Sequence, residues 1–294
     1  MSELVRSDFG ANLWNMWFTE LNKEGAGLTL KVKRVIHSSV SDFQRIDVLE
    51  TEEFGKALVL YGSIMITEKD EFTYHEMISH VPLSVHPAPS RVLIIGGGDG
   101  GALREALRHQ PVQTVQVVEI DAQVVQVCKR FFPGMTTGFD NPRAQLIYDD
   151  GARFIANTRE QFDLVISDSS DPLGPAEVLF KQSFYQNVHD RLAQDGIFVA
   201  QTESPLFHAD NVRNIYKNLR AVFPIVKMYL AHIPTYPSAL WSFAFCSKRY
   251  HPLRDFRPET ADGITGLHYY NADIHHGAFA LPNYVKALLP SLSG

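Results

Sequence analysis

The first part of the chain alternates apolar and polar residues with the period of half-buried β-strands. Four segments between residues 28 and 67 alternate in this way or are rich in β-branched residues: LTLKVKRV, FQRIDVLE, KALVLYG and SIMIT. The tripeptides Glu53-Phe54-Gly55 and Tyr61-Gly62-Ser63 separate the last three segments and are typical of hairpin turns. The pattern predicts a small antiparallel sheet, followed by a helix from Asp70 to His80 that ends before Pro82.

From Arg91 onwards, short apolar runs alternate with helical segments. The predicted strands are RVLIIGGG, TVQVVEID, AQLIYDDG, FDLVISDSS and GIFVAQT, and the helices after the first two are GALREALRH and AQVVQVCKRFF. Repeated β-then-α units of this length predict a mostly parallel, doubly wound sheet with helices on both faces. The tail adds two strand-like segments, FPIVKMYLAHIP and SALWSFAFCSK, and a short helix near Tyr284–Leu289. The fold class is α/β, with an N-terminal β domain at residues 1–80 and a catalytic domain at 81–294.

The amino-acid composition and the net charge exclude several classes of protein. The chain has 294 residues, of which 45% are hydrophobic and 20% charged, and this balance excludes intrinsic disorder. A net charge of −6 argues against nucleic-acid binding, and no apolar stretch is long enough to cross a membrane. Two distant cysteines, Cys128 and Cys246, exclude a disulfide framework, and the twelve histidines form no metal-binding motif. We therefore expect a soluble cytoplasmic protein without a secretion signal.

The segment from Gly96 to Gly101, GGGDGG, follows a buried strand and precedes a helix. Such a turn can be a simple connection, but ligands of α/β proteins bind at this end of the strands. Glu119 ends the next strand, where an acid accepts hydrogen bonds from ribose hydroxyls. Asp99 lies inside the turn and would repel a pyrophosphate by about 1 to 4 kcal/mol at 4 Å. The turn therefore disfavours NAD, FAD and ATP and favours a positively charged S-adenosyl compound.

Acidic residues also end two later strands, as Asp149-Asp150 and as Asp168 with Asp171. Each alone could be a helix cap or a solvated acid. Four successive strand ends with acids instead predict one crevice, and because their loops contain no Lys or Arg, the ligand should carry more than one positive charge. A protonated amine is the natural candidate. Polar residues that could point to this crevice, or equally serve packing and turns, are Gln44, Tyr74, His75 and Tyr236.

The motifs LIIGGGDGGALRE, VEID, SDSSDPLGPAEVLF, EKDEFTYHEMISHVPL and IPTYPSALWSFAFCSK together resemble those of the polyamine aminopropyltransferases, most closely the spermidine synthases. The resemblance covers nearly the whole chain. It implies a small β domain followed by a methyltransferase-like Rossmann domain. It also implies transfer of an aminopropyl group from decarboxylated S-adenosylmethionine, which is a co-substrate and not a cofactor, to putrescine. The family forms homodimers or homotetramers.

The resemblance also implies roles for individual residues. Asp168 matches the proton acceptor for the attacking amine, and Trp17 matches an aromatic wall of the diamine channel. The implied nucleoside contacts are Gln44, Glu119, Asp150, Gly151 and Pro175. The implied amine contacts are Tyr74, His75, Asp99, Asp168, Asp171 and Tyr236.

Three alternatives stay open on the sequence. The acceptor could be cadaverine, agmatine or spermidine, because pocket length is not encoded in a motif. The chain could be an S-adenosylmethionine-dependent methyltransferase, although Asp99 would repel the carboxylate of that substrate. The third alternative is a binding protein without catalytic activity. If the chain is an aminopropyltransferase, its proton acceptor must take a proton from an amine. A normal Asp, with a pKa of about 3.9, is a weak base for this purpose. We therefore expect Asp168 to act mainly through its position.

Overall fold

The computed structural model describes residues 15–172 and 174–289, apart from the side chain of Pro175. The first part forms a five-stranded antiparallel sheet in the order β1-β2-β3-β4-β5. Its strands are β1 Met16–Lys23, β2 Ala26–Val40, β3 Arg45–Thr51, β4 Lys56–Leu60 and β5 Ser63–Thr67. The two predicted turns join β3 to β4 and β4 to β5, which confirms this part of the prediction.

Strand β1 was not predicted, and β2 is longer than its apolar pattern. Glu20 is the only buried residue of β1, so the strand lacks an alternating apolar face. It pairs with β2 at the edge of the sheet, where backbone hydrogen bonds hold it. Strand β2 continues to Val40 through two register shifts against β3. At each bulge the following side chains change to the other face of the sheet. The alternation of apolar and polar residues along the strand is therefore interrupted.

The second part forms a seven-stranded sheet in the order β11-β12-β10-β9-β6-β7-β8. Its strands are β6 Arg91–Gly96, β7 Thr114–Glu119, β8 Ala144–Tyr148, β9 Phe162–Asp168, β10 Leu192–Gln201, β11 Ile225–His232 and β12 Leu240–Ser247. The strands from β6 to β10 pair in parallel, and β12 is antiparallel to both of its neighbours. The predicted α/β fold class is confirmed.

The helices are α1 Glu71–Leu83, α2 Gly101–Ala106, α3 Ala122–Phe131, α4 Gly151–Asn157, α5 Gln182–Arg191, α6 Ala209–Arg220, α7 Pro258–Asp262, α8 Ala272–Ala278 and α9 Asn283–Lys286. The predicted end of α1 was wrong, because Pro82 lies inside its last turn. The helix is buried on all sides from Thr73 onwards, not along one face. Among the described residues, no helix is both long and apolar enough to span a bilayer.

Apolar layers cover both faces of the second sheet. One layer contains α1 and α2 against residues such as Ile94 and Ile166, and the other contains α5 and α6 against residues such as Ile95 and Phe198. The first sheet packs on α3, and its residues Ile46 and Leu58 share an apolar cluster with Val127 of that helix. The division of the chain at residues 80 and 81 stays a prediction. Helix α1, which it assigns to the N-terminal domain, packs in the core of the second sheet.

Candidate active site

Strands β6 and β9 lie side by side at the point where the chain order of the second sheet reverses. Their last paired residues are Gly96 and Asp168, and the amide of Gly97 donates to the carbonyl of Asp168 at 2.9 Å. Gly96 has a φ of +84°, and a Cβ there would overlap the Asp168 carbonyl. The glycine turn therefore lies directly against the Asp168 strand end, at the position where such sheets bind ligands.

A cavity lies between the first sheet and this edge of the second sheet. The first sheet contributes residues such as Leu58 and Met65, and the glycine turn forms the opposite wall. Nine of the predicted site residues line it: Gln44, Tyr74, His75, Asp99, Glu119, Asp150, Gly151, Asp168 and Tyr236. The expected convergence of acidic strand ends is therefore present, while the individual roles stay predictions.

Glu119 lines the part of the cavity where the sequence predicts the nucleoside, here called the nucleoside end. Its two carboxylate oxygens accept the amide of Gly98 at 3.1 Å and the amide of Asp121 at 2.8 Å. Burial nevertheless raises the pKa of Glu119 to about 7. Gln44 reaches the same end from the first sheet and donates to Asp121 at 3.1 Å. These bonds fix both side chains before a ligand binds and leave lone pairs of the carboxylate for hydroxyl donors.

Asp150 and Asp149 have different environments. Asp150 begins α4 and accepts the amides of Ala152 and Arg153 at 2.8 and 3.0 Å, so it is a helix cap as well as a cavity residue. Asp149 pairs with the Arg153 side chain and is not among the residues that line the cavity. Asp150 is thus a helix cap, as the sequence allowed, and it also lines the cavity.

One buried and two half-buried groups meet in the part of the cavity where the sequence predicts the amines, here called the amine end. One ring nitrogen of His75 and one carboxylate oxygen each of Asp99 and Asp168 lie within 4.8 Å of one another. Burial and the charge of Asp99 raise the pKa of Asp168 to about 7, although His75 and Tyr74 oppose the rise. Burial would also raise the pKa of Asp99, but the neighbouring His75 holds it below its usual value. One acid is therefore kept ionised and the other is ready to take up a proton.

The expectation that only the ligand neutralises these acids was wrong. His75 brings positive charge from α1, an element distant in sequence from the acidic loops, and Arg104 of α2, just beyond the glycine turn, contributes to the lowered pKa of Asp99. His75 Nε2 lies 3.2 Å from Asp99 Oδ1. A search of the loops alone could not find these cations, because they reach the site from the sides of neighbouring helices.

A smaller second cavity adjoins the amine end and contains Asp171, the tenth predicted residue. Sequence reasoning missed other polar residues of its lining, among them Glu20, Gln201 and Trp241. Burial raises the pKa of Asp171 to about 6 and that of Glu20 to about 7. The indole nitrogen of Trp241 is buried without a hydrogen-bond partner. Gln201 could have been found as another polar strand end, whereas Glu20 lies on the unpredicted β1.

Tyr236 lines both cavities, as do Met65, Tyr74, Ser169 and Ser170. Its hydroxyl donates to the carbonyl of Met65 at 2.6 Å, and its ring packs edge-on against Trp241. Thr235 is held beside it by Asp70, which accepts the Thr235 amide and hydroxyl at 3.0 and 2.7 Å. Trp17 is 55% exposed and lines neither cavity, contrary to its expected position.

Two family models match the chain. The model described as the spermine/spermidine synthase domain matches residues 71–257, and the spermidine synthase tetramerisation domain matches residues 16–68. The chain belongs to the spermine/spermidine synthase family.

Relatives of this family agree over nearly the full length. Polyamine aminopropyltransferases of Shouchella clausii and Bacillus subtilis are 46% and 44% identical, over 93% of this chain and 98% and 99% of theirs. The crystal structure of a spermidine synthase in complex with the transition state analogue AdoDATO is 42% identical, with a TM-score of 0.91 over 96% of this chain and 98% of that one. The spermidine synthase of Thermotoga maritima has 41% identity and a TM-score of 0.88, with the same coverage. The predicted family and enzyme class are confirmed.

The amine-end cluster also has the spacing of a metal site. A metal would need a lone pair of His75 together with Asp99 and Asp168. Both ring nitrogens of His75 already face carboxylate oxygens, at 2.6 Å from Glu71 and 3.2 Å from Asp99. This arrangement favours a protonated ring, which has no lone pair. A metal ion would therefore have only the carboxylates of Asp99 and Asp168 as ligands in this cluster.

Proposed function

We propose that this member of the family transfers the aminopropyl group of decarboxylated S-adenosylmethionine to putrescine, which yields spermidine and methylthioadenosine. One observation carries the proposal. Two half-buried carboxyls, Asp99 and Asp168, lie where the chain of an adenosyl ligand would leave the nucleoside end of the cavity. Such a position attracts ammonium groups and repels carboxylates.

The charge of Asp99 supports a decarboxylated donor. Asp99 is ionised in this environment and accepts the amide of Gly101 at 2.7 Å, so its position is fixed. The carboxylate of S-adenosylmethionine would meet this negative charge, whereas decarboxylation leaves only an amine there. The same comparison disfavours a methyltransferase. We therefore assign the aminopropyl ammonium to Asp99, with Tyr74 and His75 beside it.

Asp168 is the proposed proton acceptor. The amine nitrogen attacks the aminopropyl carbon bonded to sulfur, the carbon–sulfur bond breaks, and its electron pair neutralises the sulfonium. The proton lost by the nitrogen passes to Asp168, whose Oδ2 is buried without a hydrogen-bond partner. With its pKa near 7, Asp168 is a stronger base than an ordinary Asp and closer to an amine of about 10.4. Position and an altered pKa therefore act together.

The second cavity supports a diamine as the acceptor. Its carboxyls, Asp171 and Glu20, can bind the distal ammonium while Tyr236 lines the passage to the reacting end. Holding both ends of the acceptor aligns the attack opposite the sulfur. Cadaverine, agmatine and spermidine remain alternatives, because they also carry a distal cation.

Further parts of the proposal rest on the family. We propose a homodimer or homotetramer in the cytoplasm that needs no cofactor besides its two substrates. The nucleoside base is expected at Asp150, Gly151 and Pro175, although the side chain of Pro175 lies outside the described residues.

The test is release of methylthioadenosine from decarboxylated S-adenosylmethionine with putrescine, cadaverine, agmatine or spermidine in parallel. The proposal expects putrescine to give the highest kcat/KM. Preference for a longer amine would keep the reaction and change the acceptor. Absence of release with every amine, or tighter binding of S-adenosylmethionine than of its decarboxylated form, would contradict the proposed reaction.

A further inference from the structure

The ring of His75 is held between two carboxylates that lie on different elements. Nδ1 lies 2.6 Å from Glu71 Oε2, one helical turn back on α1, and Nε2 lies 3.2 Å from Asp99 Oδ1 in the glycine turn. A neutral imidazole has one N–H and would place a lone pair against one of these oxygens. The Nδ1 contact with Glu71 is a hydrogen bond, whereas Nε2 faces Asp99 at ion-pair distance without a hydrogen-bond partner. The imidazolium avoids a lone pair against either carboxylate and pairs its charge with both.

Glu71 is itself oriented by Arg104 of α2. Two guanidinium nitrogens of Arg104 donate to the two oxygens of Glu71, each at 2.9 Å, in a forked pair. The Nε of Arg104 donates to Glu105 at 2.7 Å, which prevents the guanidinium from turning. Neither Glu71 nor Arg104 lines the cavity, so neither can contact a substrate there. Both act on the site through His75.

Three further residues surround the ring of His75. Asp168 approaches from the end of β9, Tyr74 packs its ring edge-on against the imidazole, and Gly101 lies under the ring at the start of α2. The imidazole is completely buried. Burial would lower its pKa, but Asp99 and Glu71 outweigh burial and raise the pKa well above the usual value.

We propose that Glu71, held by Arg104, is a positioning residue that keeps His75 as a permanent imidazolium against Asp99. His75 is then a fixed cation and hydrogen-bond donor of the amine end, and it does not accept the proton that the attacking amine loses. The inference rests on the proposed function for its catalytic meaning, but the charge of His75 can be measured without turnover. It explains how Asp99 stays ionised beside Asp168.

The first experiment follows the ring protons of His75 by NMR as a function of pH, with His75→Gln to assign the signal. In the wild-type enzyme we expect the imidazolium to persist well above the pH at which an exposed histidine titrates. In Glu71→Gln the pKa of His75 should fall by about 1–3 units, because one adjacent charge is lost. Glu50→Gln removes a carboxylate that is paired with Arg34 far from the site, and it should leave the His75 titration unchanged. Ordinary titration of His75 in the wild type, or no shift in Glu71→Gln, would overturn the inference.

The second experiment compares kcat/KM in Glu71→Gln, His75→Gln and the double variant. If Glu71 acts through His75, the double variant should be no slower than His75→Gln within about twofold, because coupled residues are not additive. Fully additive losses would mean that Glu71 has a separate structural role and would overturn the inference. An inactive wild-type enzyme would instead count against the proposed function, while the titration would still decide the charge of His75.

Discussion

The imidazole of His75 lies directly against Gly101, and any Cβ on Gly101 would overlap the ring. The first helical residue after the glycine turn is thus a glycine because a buried side chain of another helix occupies its Cβ position. The sequence motif identifies the glycine, but only the packing of α1 on α2 explains why a glycine is required at this position.

The variant Gly101→Ala should therefore damage the amine end. Alanine normally stabilises a helix by about 1 kcal/mol relative to glycine, but here its methyl must displace His75. We expect kcat/KM for the amine to fall by at least about tenfold, since ring displacement breaks a charged contact. Gly277→Ala in α8 is the matched control, because nothing lies within 4 Å of its Cβ position. Equal effects of the two changes on activity would contradict this explanation.

Asp168→Asn should remove most of the turnover while leaving the nucleoside end intact. General-base catalysis contributes about 10²- to 10⁴-fold, so we expect kcat to fall within this range. The measurement is methylthioadenosine release, with thermal stabilisation by methylthioadenosine as the control for folding and nucleoside binding. Nearly normal kcat in a variant that binds methylthioadenosine would exclude Asp168 as the proton acceptor.

Asp171→Asn should weaken binding of the distal ammonium. A hydrogen bond to a charged group contributes about 1.5–3 kcal/mol, so KM for putrescine should rise about 10- to 100-fold. Butylamine has the same chain without the second ammonium, and its poorer kcat/KM should be unaffected by the substitution. If both amines lost activity equally, the second cavity would not be the distal amine site.

The buried acids predict a specific pH dependence of stability. Burial raises the pKa of Asp168, Glu119 and Glu20 to about 7 from ordinary values of 3.8 to 4.5. Between about pH 4 and pH 7 the folded protein therefore holds more protons than the unfolded chain, and the free energy of unfolding falls as the pH rises. The raised pKa of His75 acts in the same direction, because its stabilisation is lost on deprotonation.

Thermal unfolding between pH 6 and pH 8 tests this prediction. Buried His109 and His275, whose pKa values burial lowers to about 3 and about 4, oppose this trend without ligand, because the same residues lose their protons near pH 6.5 in the unfolded chain. The decisive quantity is therefore the ligand-dependent rise in Tm. Putrescine with methylthioadenosine should raise Tm more at pH 8 than at pH 6, because its cations pair with the newly ionised acids. A ligand effect that is independent of pH would show that these carboxyls do not titrate in this range.

Much of the fold follows from local patterns. The strands from β6 to β12 are short apolar runs bounded by turns. Such runs are easy to recognise in the sequence because both faces of the sheet are covered and most side chains are apolar. Strand β1 escaped prediction because pairing at the edge of a sheet, and not an apolar face, holds it. The limit of α1 was misplaced because Pro82 loses only one hydrogen bond within the last turn.

The sequence by itself determined the α/β fold class, the glycine turn and the acids at the strand ends, because each depends on neighbouring residues or on a rule of parallel sheets. Tertiary structure decided which charges meet. Glu71 contacts His75 on one helix and is held by Arg104 of another, and Glu20 reaches Asp171 from the edge of another sheet. Electrostatic energy depends on distance and burial in space, and neither quantity is contained in sequence spacing.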